Sequence, residues 1–460
     1  MNSSLSLEEK YLVVGAGKSG VAACDLLQKK GRSATLYDMN ENMDFSAIQE
    51  SHPDWKGIEY ANGLYNGKHN EGLFDGITCV VMSPGVPVEG DFIDEIKKRW
   101  IKLSGEVELA YSLGLGEVYA ITGTNGKTTT TSLTGQIFLN YFKSVFVVGN
   151  IGIPYTSVAY DTVSDTKIIA EISSFQLETI DTFKPHVSAI LNITPDHLNR
   201  HHTMENYSRI KESITKNQTS DDTCVLNYED DELRRFGETL KCKVIYFSSN
   251  RELPHGIYYR DKSIYSTLSG KEEKVIDVTD MNILGVHNFE NASAAIAISV
   301  AAGVPMDIIR NSLKEFKAVE HRIEFTAEKK GVRYYNDSKG TNTDASIKAV
   351  LAMDRPILLI GGGFDKKISF DEWVETFAGK VKKLVLIGET KYDIAKVCDK
   401  FGFKDYIFAD TLEKAIDVCA ENAVCGDCVL LSPASASWDM FNSYEERGEI
   451  FKDYVRKLPE

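Results

Sequence analysis

Apolar runs rich in β-branched residues alternate with amphipathic stretches along the whole chain, and this alternation restricts the fold more than any other feature. Many of the runs end in Gly, Ser, Asp or Asn, and a helical pattern follows. This order is typical of βαβ units, in which helices cover a sheet of parallel strands. The clearest strand candidates are KYLVVG near Tyr11, EVYAITG near Tyr119, KIIAEIS near Ile169, VSAILNI near Ile190, RPILLIGGG near Leu358, KLVLIGE near Leu386 and CVLLSPA near Leu430. The sequence therefore predicts an α/β protein whose ligands bind at the carboxyl ends of strands.

The length of the chain and two changes in pattern suggest three segments. A chain of 460 residues is long enough for two to four domains. One boundary is expected near KLSGEVELAYSLGLG, before the strand at Tyr119, and the other near LKEFKAVEHRIEF, after a long apolar helix. We therefore predict domains at residues 1–105, 106–316 and 317–460, without an internal repeat.

Charge and cysteine usage exclude several classes of protein. The net charge of -15 argues against general binding to nucleic acid. The amino terminus, MNSSLSLEEKYLVVGAG, lacks the pattern of a signal peptide, and the apolar run from Ala292 is too short to cross a bilayer, so it predicts a buried helix. Of eight cysteines only Cys425 and Cys428 are close, in a Gly-Asp turn that we interpret as structural. We expect reduced thiols and a cytoplasmic protein.

The segment ITGTNGKTTTTSL, starting at Ile121, resembles a phosphate-binding loop that has been shortened. The common spacing G-x-x-x-x-G-K-[ST] requires glycine where this chain has Ile121, and the first glycine is Gly123. Strand, loop and helix follow in the correct order, so backbone N–H groups at the helix start are expected to bind phosphate. Lys127 would contact the β- and γ-phosphates, and Thr128 would bind Mg²⁺. The predicted phosphate-binding residues are Gly123, Thr124, Asn125, Gly126, Lys127, Thr128 and Thr129.

Two later strand ends offer ligands for a metal ion. Glu171 follows the strand in IIAEISSFQLE, and His197 follows the strand in LNITPDHLNRH. Mg²⁺ prefers oxygen ligands and retains several waters. A carboxylate at a strand end beside a phosphate loop fits this chemistry, so both residues are candidate metal ligands.

A second glycine-rich loop lies near the amino terminus. YLVVGAGKSGVAACDLL contains G-x-G-x-x-G at Gly15, Gly17 and Gly20, and Asp38 ends the next strand. This pattern fits a dinucleotide-binding fingerprint, yet three interpretations stay open: a non-redox nucleotide such as a UDP-sugar, NAD(P) or FAD, or a purely structural turn. We favour the first, because the rest of the chain suggests triphosphate and metal chemistry. The residues expected at this site are Gly17, Lys18, Ser19, Asp38 and, from VVMSPGVP, Ser83, Pro84 and Gly85.

The motifs taken together resemble the Mur ligases, the ATP-dependent amino-acid ligases of peptidoglycan precursor synthesis. The segments that carry the resemblance occur in order along nearly the whole chain: GTNGKTT, GNIGIP, EISSFQLE, NITPDHLNRH, GVHNFENASAA, HRIEF, YYNDSKGTN and LLSPASASWDMF. The amino-terminal glycine loop, the SPG segment and SPASASWDMF are most similar to the members that add D-glutamate. The Asn-Pro-Arg tripeptide usual in relatives that add a diamino acid is absent.

The resemblance implies a fold, an activity and cofactors. It implies a Rossmann-like UDP-binding domain, a central ATPase domain with a parallel sheet, and a Rossmann-like carboxyl-terminal domain. It also implies that D-glutamate is joined to UDP-N-acetylmuramoyl-L-alanine through an acyl phosphate, with ATP and two Mg²⁺ ions. A monomer without membrane insertion is expected.

The resemblance further assigns roles to individual residues. Thr128 and Glu171 are implied at one Mg²⁺ and His197 at the second, and Asn150 is implied near the substrate. Lys211 in YSRIK occupies the position of a lysine that is carbamylated in the family, although spacing alone predicts an exposed helix lysine. The residues implied at ATP are Asn288, Asn291, Arg322 and Asp337. Those implied at the incoming amino acid are Lys339, Thr341, Lys366, Ser437 and Tyr444.

The sequence departs from the family pattern at two positions and leaves other functions open. Asn199 stands where the family often has a second Asp, so we assign it no metal role, and Tyr444 stands where Phe is common. The alternatives are a nicotinamide-dependent oxidoreductase, a nucleotide switch or binding module, and, within the ligase family, a relative that adds another amino acid or a polyglutamate-type ligase.

Overall fold

The computed structural model describes residues 9–65 and 70–460. The chain forms two compact units. Unit 1 consists of the described part of Met1–Val275 together with Asn291–Ser312, and unit 2 consists of Ile276–Glu290 and Leu313–Glu460. The amino-terminal stretch 1–8, on which part of the signal-peptide argument depends, lies outside the described residues.

The first sheet of unit 1 is entirely parallel, with strand order β3-β2-β1-β4-β5. Its strands are β1 (Lys10–Val14), β2 (Ser33–Asp38), β3 (Ile58–Asn62), β4 (Ile77–Met82) and β5 (Lys102–Gly105). The helices between and after them are α1 (Lys18–Lys29), α2 (Ser46–Ser51), α3 (Asp91–Lys98) and α4 (Glu106–Leu113). The order of the strands reverses between β1 and β4, which is where ligands bind in open parallel sheets.

Both faces of this sheet are buried, as its uninterrupted apolar strands predict. Successive side chains of a strand point to opposite faces. Tyr11 and Val13 of β1 belong to the same apolar cluster as Leu27 of α1, whereas Leu12 and Val14 belong to the cluster that contains Phe92 of α3. Helices therefore cover the sheet on both sides.

The second sheet has nine strands in the order β14-β13-β12-β11-β10-β9-β6-β8-β7. Its strands are β6 (Glu117–Thr122), β7 (Val145–Gly149), β8 (Lys167–Glu171), β9 (Val187–Ile190), β10 (Thr223–Asn227), β11 (Lys243–Ser248), β12 (Gly256–Arg260), β13 (Ser263–Ser266) and β14 (Glu273–Asp277). The associated helices are α5 (Lys127–Leu139), α6 (Ser174–Leu177), α7 (Leu198–His201), α8 (Met204–Glu212), α9 (Asp231–Gly237), α10 (Val286–Ala301) and α11 (Met306–Glu315). From β7 to β12 the strands pair in parallel, and β6 lies between β8 and β9.

The third sheet lies in unit 2, with order β15-β16-β20-β17-β18-β19. Its strands are β15 (Glu324–Lys329), β16 (Val332–Asn336), β17 (Ile357–Gly361), β18 (Val381–Leu386), β19 (Tyr406–Phe408) and β20 (Cys428–Leu431). Its helices are α12 (Thr343–Ala352), α13 (Asp371–Glu375), α14 (Lys391–Lys400), α15 (Leu412–Asn422) and α16 (Tyr444–Lys457). Only the β15–β16 pair is antiparallel in this sheet. Short 3₁₀ turns occur at Glu71–Phe74, Tyr155–Ser157, Ser213–Thr215 and Val278–Asp280.

The strand predictions are confirmed, because each of the seven apolar runs contains a strand of a largely parallel sheet. The apolar run from Ala292 lies in α10, where Ala292 and Ile296 are fully buried. Cys425 is exposed and Cys428 begins β20, so their segment is a turn that leads into a strand. None of the helices within residues 9–65 and 70–460 is long and apolar enough to span a membrane.

Candidate active site

The shortened phosphate loop joins β6, an interior strand of the second sheet, to α5. Gly126 precedes α5 with φ +85°, and Gly123 has φ +150°. A Cβ atom on Gly126 would lie 2.2 Å from Oδ1 of Asn291, so both conformation and space require glycine there. The loop therefore leads the backbone tightly into the first turn of α5, whose N–H groups form an anion site.

Residues after β9 hold this loop in place. The backbone N–H of Asn125 donates to Oδ1 of Asn192 at 2.8 Å, and Nδ2 of Asn192 donates to the carbonyl of Asn125 at 3.1 Å. The hydroxyl of Thr124 donates to the carbonyl of Thr194 at 3.0 Å and accepts from its N–H at 3.0 Å. Asn192 and Thr194 were missed at the level of sequence, although both lie in the quoted segment NITPDHLNRH.

Two lysines contact the carbonyl side of the loop. Nζ of Lys127 donates to the carbonyls of Gly123 and Thr124, each at 2.8 Å. Nζ of Lys211, from α8, donates to the carbonyl of Gly123 at 2.8 Å. The expectation from spacing, that Lys211 is an exposed helix lysine, is wrong, because only 1% of its surface is accessible. Burial against the loop removes it from solvent.

The environment of Lys211 favours its neutral form. Burial lowers the pKa of its amine well below the ordinary value, and the positive charge of Lys127 lowers it further. The ring of Tyr207, one turn earlier in α8, lies 4.7 Å from the Lys211 ammonium, and the Tyr207 hydroxyl lies 3.1 Å from that of Thr124. A neutral amine is a nucleophile, whereas an ammonium group is not.

Glu171 ends β8, the strand beside β6, and is 2% exposed. Its Oε1 accepts a hydrogen bond from Nδ2 of Asn150 at 2.8 Å, whereas its Oε2 is buried and has no hydrogen-bond partner among residues 9–65 and 70–460. A buried carboxylate oxygen without a donor is costly unless a cation compensates it. Glu171 thus fits a Mg²⁺ ligand, and Thr128 in the first turn of α5 offers a buried hydroxyl of the right chemistry.

His197 precedes α7 in the left-handed conformation, with φ +51°, and its side chain is half exposed. Its ring lies 4.9 Å from that of Phe175. The neighbouring His201 is fully buried, its Nε2 lies 2.9 Å from Oγ of Ser174, and burial lowers its pKa to about 4. The imidazole of His197 is therefore accessible to a ligand, whereas that of His201 is buried against Ser174.

A cavity of about 470 Å³ opens at the carboxyl ends of β1 and β4 in unit 1. Its walls include residues predicted from the amino-terminal glycine loop and from SPG, together with Asn150, which follows β7 of the second sheet. The predicted residues that line it are Gly17, Lys18, Ser19, Ser83, Pro84, Gly85 and Asn150. The structure thus brings together two predicted sets that are separated by more than sixty positions in sequence.

Asp38 supports this cavity and is not among the residues that line it. Its Oδ2 accepts a hydrogen bond from the N–H of Ala16 at 2.9 Å, which fixes the glycine loop. Arg200 was missed by sequence reasoning. It donates to both carboxylate oxygens of Glu178 and to the carbonyl of Val86 at 3.0 Å, so it connects the end of the SPG segment to α6 and α7.

Of the residues implied at ATP, Asn288 and Asn291 lie in α10, Arg322 precedes β15 and Asp337 follows β16. Asp337 follows β16, and its Oδ2 accepts from Oγ of Ser432 at 2.7 Å. Burial raises the pKa of Asp337 to about 7, although Ser432 and Arg322 oppose the rise. Asn288 donates from Nδ2 to the carbonyl of Leu284 at 2.7 Å.

Two lysines predicted for the amino-acid site each lie over an aromatic ring. Nζ of Lys339 is 5.1 Å from the ring centre of Tyr444, and Nζ of Lys366 is 5.7 Å from that of Trp438. Lys366 also donates to the carbonyl of Thr341 at 3.4 Å. Ser437 is buried beside Trp438, and its carbonyl accepts the N–H of Phe441 at 2.8 Å. Four of the five residues predicted for the amino acid therefore lie on loops after strands of the third sheet, and Tyr444 begins α16.

Arg447 of α16 fixes two of these loops and was also missed. Its guanidinium is fully buried and makes five hydrogen bonds, to the hydroxyl and carbonyl of Ser338 and to the carbonyls of Ser435 and Ala436. Ser338 precedes Lys339, and Ala436 precedes Ser437. The helix thus sets the position of one loop relative to the other.

Family models match most of the second and third sheets. Residues 121–299 match the Mur ligase middle domain, and residues 321–435 match the Mur ligase glutamate ligase domain. The chain is 52% identical to the UDP-N-acetylmuramoylalanine–D-glutamate ligase of Lachnoclostridium phytofermentans, over 98% of this chain and 99% of the relative. It is 53% identical to the enzyme of that name from Lachnospira eligens, over 97% and 98%.

Solved structures of more distant proteins share the fold. A pseudomurein peptide ligase type C from Methanothermus fervidus has a TM-score of 0.61 and 18% identity, covering 98% of this chain and 99% of that one. The UDP-N-acetylmuramate–alanine ligase of Thermotoga maritima has a TM-score of 0.60 and 17% identity, covering 97% and 99%. At these identities the likeness extends to the fold alone.

Proposed function

The chain belongs to the Mur ligase family and, within it, to the UDP-N-acetylmuramoylalanine–D-glutamate ligases, and from this premise we propose how its residues carry out the reaction. It is an ATP-dependent ligase of peptidoglycan precursor synthesis. Its substrates are UDP-N-acetylmuramoyl-L-alanine, D-glutamate and ATP, and its products are the amide, ADP and phosphate. The observation that carries the assignment of residues is the contact of Lys211, from α8, with the phosphate loop after β6, while Glu171 ends the neighbouring strand β8.

We assign binding of the UDP-sugar, of ATP and of the amino acid to three domains, at residues 1–105, 106–316 and 317–460 respectively. The first and third are Rossmann-like, and the second is a phosphate-loop ATPase domain. Each of the three sheets lies within one of these ranges, which supports the division. The cavity lined by Lys18, Ser83 and Asn150 has the volume of a small-molecule site and would take the UDP-sugar.

In the first step a carboxylate oxygen of the substrate attacks the γ-phosphorus of ATP, and ADP leaves. Attack by one anion on another requires positive charge at the transferred phosphate. Lys127 supplies it by leaving the carbonyls of Gly123 and Thr124, which compete for its ammonium without ATP. Mg²⁺ bound by Thr128 and Glu171, with a second ion at His197, would neutralise phosphate charge.

Lys211 takes part in the metal site after carbamylation. The pKa of its amine is lowered, so the neutral amine is available to attack CO₂; the nitrogen loses a proton, and a carbamate forms. The modification gives this buried side chain a negative charge beside the phosphate loop, where a divalent metal can compensate it. Burial and the contact with Gly123 support this assignment.

In the second step the amine of D-glutamate attacks the acyl carbon of the acyl phosphate. A tetrahedral intermediate forms and expels phosphate to leave the amide. Lys339, Thr341, Lys366, Ser437 and Tyr444 would hold the amino acid, because a dicarboxylate needs cations and hydroxyl donors. Asn288, Asn291, Arg322 and Asp337 would contact ATP. We assign no residue as the base that takes the proton from the amine, and we expect a monomer.

The test is phosphate release from ATP and Mg²⁺ with UDP-N-acetylmuramoyl-L-alanine and, in parallel, D-glutamate, L-glutamate, L-alanine or a diamino acid. We expect release only when the UDP-sugar and D-glutamate are both present. Release with another amino acid would contradict the proposed substrate. Bound ATP without release from any pair would contradict the proposed ligation.

A further inference from the structure

Trp438 is a large apolar side chain on the surface of unit 2. Its exposed fraction is 65%, and it follows Ser437 directly. Single exposed apolar side chains are common on protein surfaces, so the groups around Trp438 decide whether it has a role. No role follows for Trp438 from the motifs described above.

The ring of Trp438 is oriented by the loop that carries Lys366. It lies 5.6 Å from the ring of Phe364, with an angle of 56° between the two planes. The N–H of Phe364 donates to the carbonyl of Ala436 at 2.9 Å, and a Cβ on Gly363 would lie 2.2 Å from the same carbonyl. The loops after β17 and β20 therefore approach closely, and tryptophan and phenylalanine pack at their junction.

Lys366 lies between this ring and a backbone carbonyl. Its Nζ is 5.7 Å from the centre of the Trp438 ring and 3.4 Å from the carbonyl oxygen of Thr341. The face of an indole ring attracts a cation within about 6 Å. Unlike a carboxylate, an aromatic ring orients the ammonium group without neutralising its charge. The cation therefore still attracts an anion.

We propose that Trp438 is a positioning residue for the incoming amino acid, holding the Lys366 ammonium where a carboxylate of D-glutamate binds. The proposal rests on the proposed function. The pairing of Lys339 with Tyr444 in the same unit repeats the arrangement at 5.1 Å, so two ammonium groups are each held over a ring. A dicarboxylic amino acid presents two carboxylates, and this pair of supported cations matches them.

The test compares Trp438→Leu and Trp438→Phe with the unmodified enzyme. For Trp438→Leu we expect the KM for D-glutamate to rise about two- to fivefold, the range of an exposed cation–π contact. The kcat, and the KM values for ATP and the UDP-sugar, should change by less than about twofold. Trp438→Phe retains a ring and should recover part of the loss. Trp100→Leu, at a 94% exposed tryptophan of unit 1, is the matched control and should change none of these values.

A double-mutant cycle tests whether Trp438 acts through Lys366. Lys366→Met should raise the KM for D-glutamate, and adding Trp438→Leu to it should raise it no further, because the cation is already gone. Independent, multiplying effects would overturn the proposal, as would an unchanged KM in Trp438→Leu with an unchanged midpoint of thermal unfolding. If the unmodified enzyme does not use D-glutamate at all, it is the proposed function that fails.

Discussion

The Lys211 ammonium group lies 2.8 Å from the carbonyl oxygen of Gly123, so a buried lysine from α8 contacts the first glycine of the phosphate loop. This contact brings a titratable amine to the place where nucleotide phosphates are expected. It also explains why the side chain is excluded from water although α8 is otherwise strongly polar.

Removing the Lys211 amine should abolish the ligation reaction. We expect Lys211→Met to lower kcat by roughly 100-fold or more, because the carbamate ligand of the metal site cannot form. The unmodified protein should incorporate carbon-13 from labelled bicarbonate into a carbamate that NMR detects, and Lys211→Met should not. Lys216→Met, at an exposed lysine five residues beyond, is the matched control. A carbamate signal that survives in Lys211→Met would contradict the assignment.

Glu171→Gln should stabilise the protein without Mg²⁺ and remove its stabilisation by Mg²⁺. Without Mg²⁺ the variant should be more stable than the unmodified protein by about 1–3 kcal/mol, because an amide replaces a buried carboxylate whose Oε2 lacks a hydrogen-bond partner among the described residues. Addition of Mg²⁺ should raise the midpoint of thermal unfolding of the unmodified protein and not of Glu171→Gln.

The control for this comparison is Glu117→Gln, at the amino end of β6, where the carboxylate pairs with Lys167. Its response to Mg²⁺ should equal that of the unmodified protein. An equal response in Glu171→Gln would show that the carboxylate is not a metal ligand.

Asp337 should make the free energy of unfolding depend on pH. The ordinary pKa of an aspartate is 3.8, and burial raises that of Asp337 to about 7, so from about pH 4 to pH 7 the folded state holds a proton that the unfolded state has lost. Its contribution is complete below pH 4 and is lost as the pH rises through 7. The free energy of unfolding falls by about 4 kcal/mol over this pH range. Asp337→Asn should flatten this slope, measured by urea unfolding at several pH values, and an unchanged slope would contradict it.

Arg447 should be essential for the stability of unit 2. Arg447→Met leaves the carbonyls of Ser338 and Ser435 buried without the guanidinium donor and removes one of the two donors to that of Ala436, at a cost of about 3 kcal/mol or more. Arg447→Lys should recover little, because one ammonium group cannot reach acceptors on two loops. Arg456→Met, at an exposed position of the same helix, should change the midpoint of chemical unfolding only slightly. Similar losses in both would contradict the role of Arg447.

Much of the fold was predictable because strand ends and motifs coincide. The phosphate loop, Glu171 and His197 follow β6, β8 and β9, which are neighbours in the sheet, so local sequence placed them at one edge. The amino-terminal glycine loop and SPG met for the same reason, since β1 and β4 pair. In these cases the spacing of strands along the chain already implies proximity.

Other features depend on contacts that no local pattern reveals. Lys211 and Arg447 are charged residues of polar helices, and such residues are expected at the surface. Each is buried because backbone carbonyls from distant loops accept its hydrogen bonds. From the sequence, Asn192 is only a polar residue after a strand, and its two hydrogen bonds to the backbone of Asn125 are evident only in the structure. Trp438 lies within the recognised segment LLSPASASWDMF, but its ring contacts Lys366 from a separate loop. Such roles arise from long-range packing.

The most direct test of the account follows oxygen atoms through the reaction. The carboxylate of UDP-N-acetylmuramoyl-L-alanine is labelled with oxygen-18, and the enzyme is supplied with ATP, Mg²⁺ and D-glutamate. Attack on the γ-phosphorus moves one labelled oxygen into the released phosphate and leaves the other in the amide product, so mass spectrometry should find equal label in both. Phosphate without label would contradict the acyl-phosphate route, and ADP formed without the amide would contradict ligation.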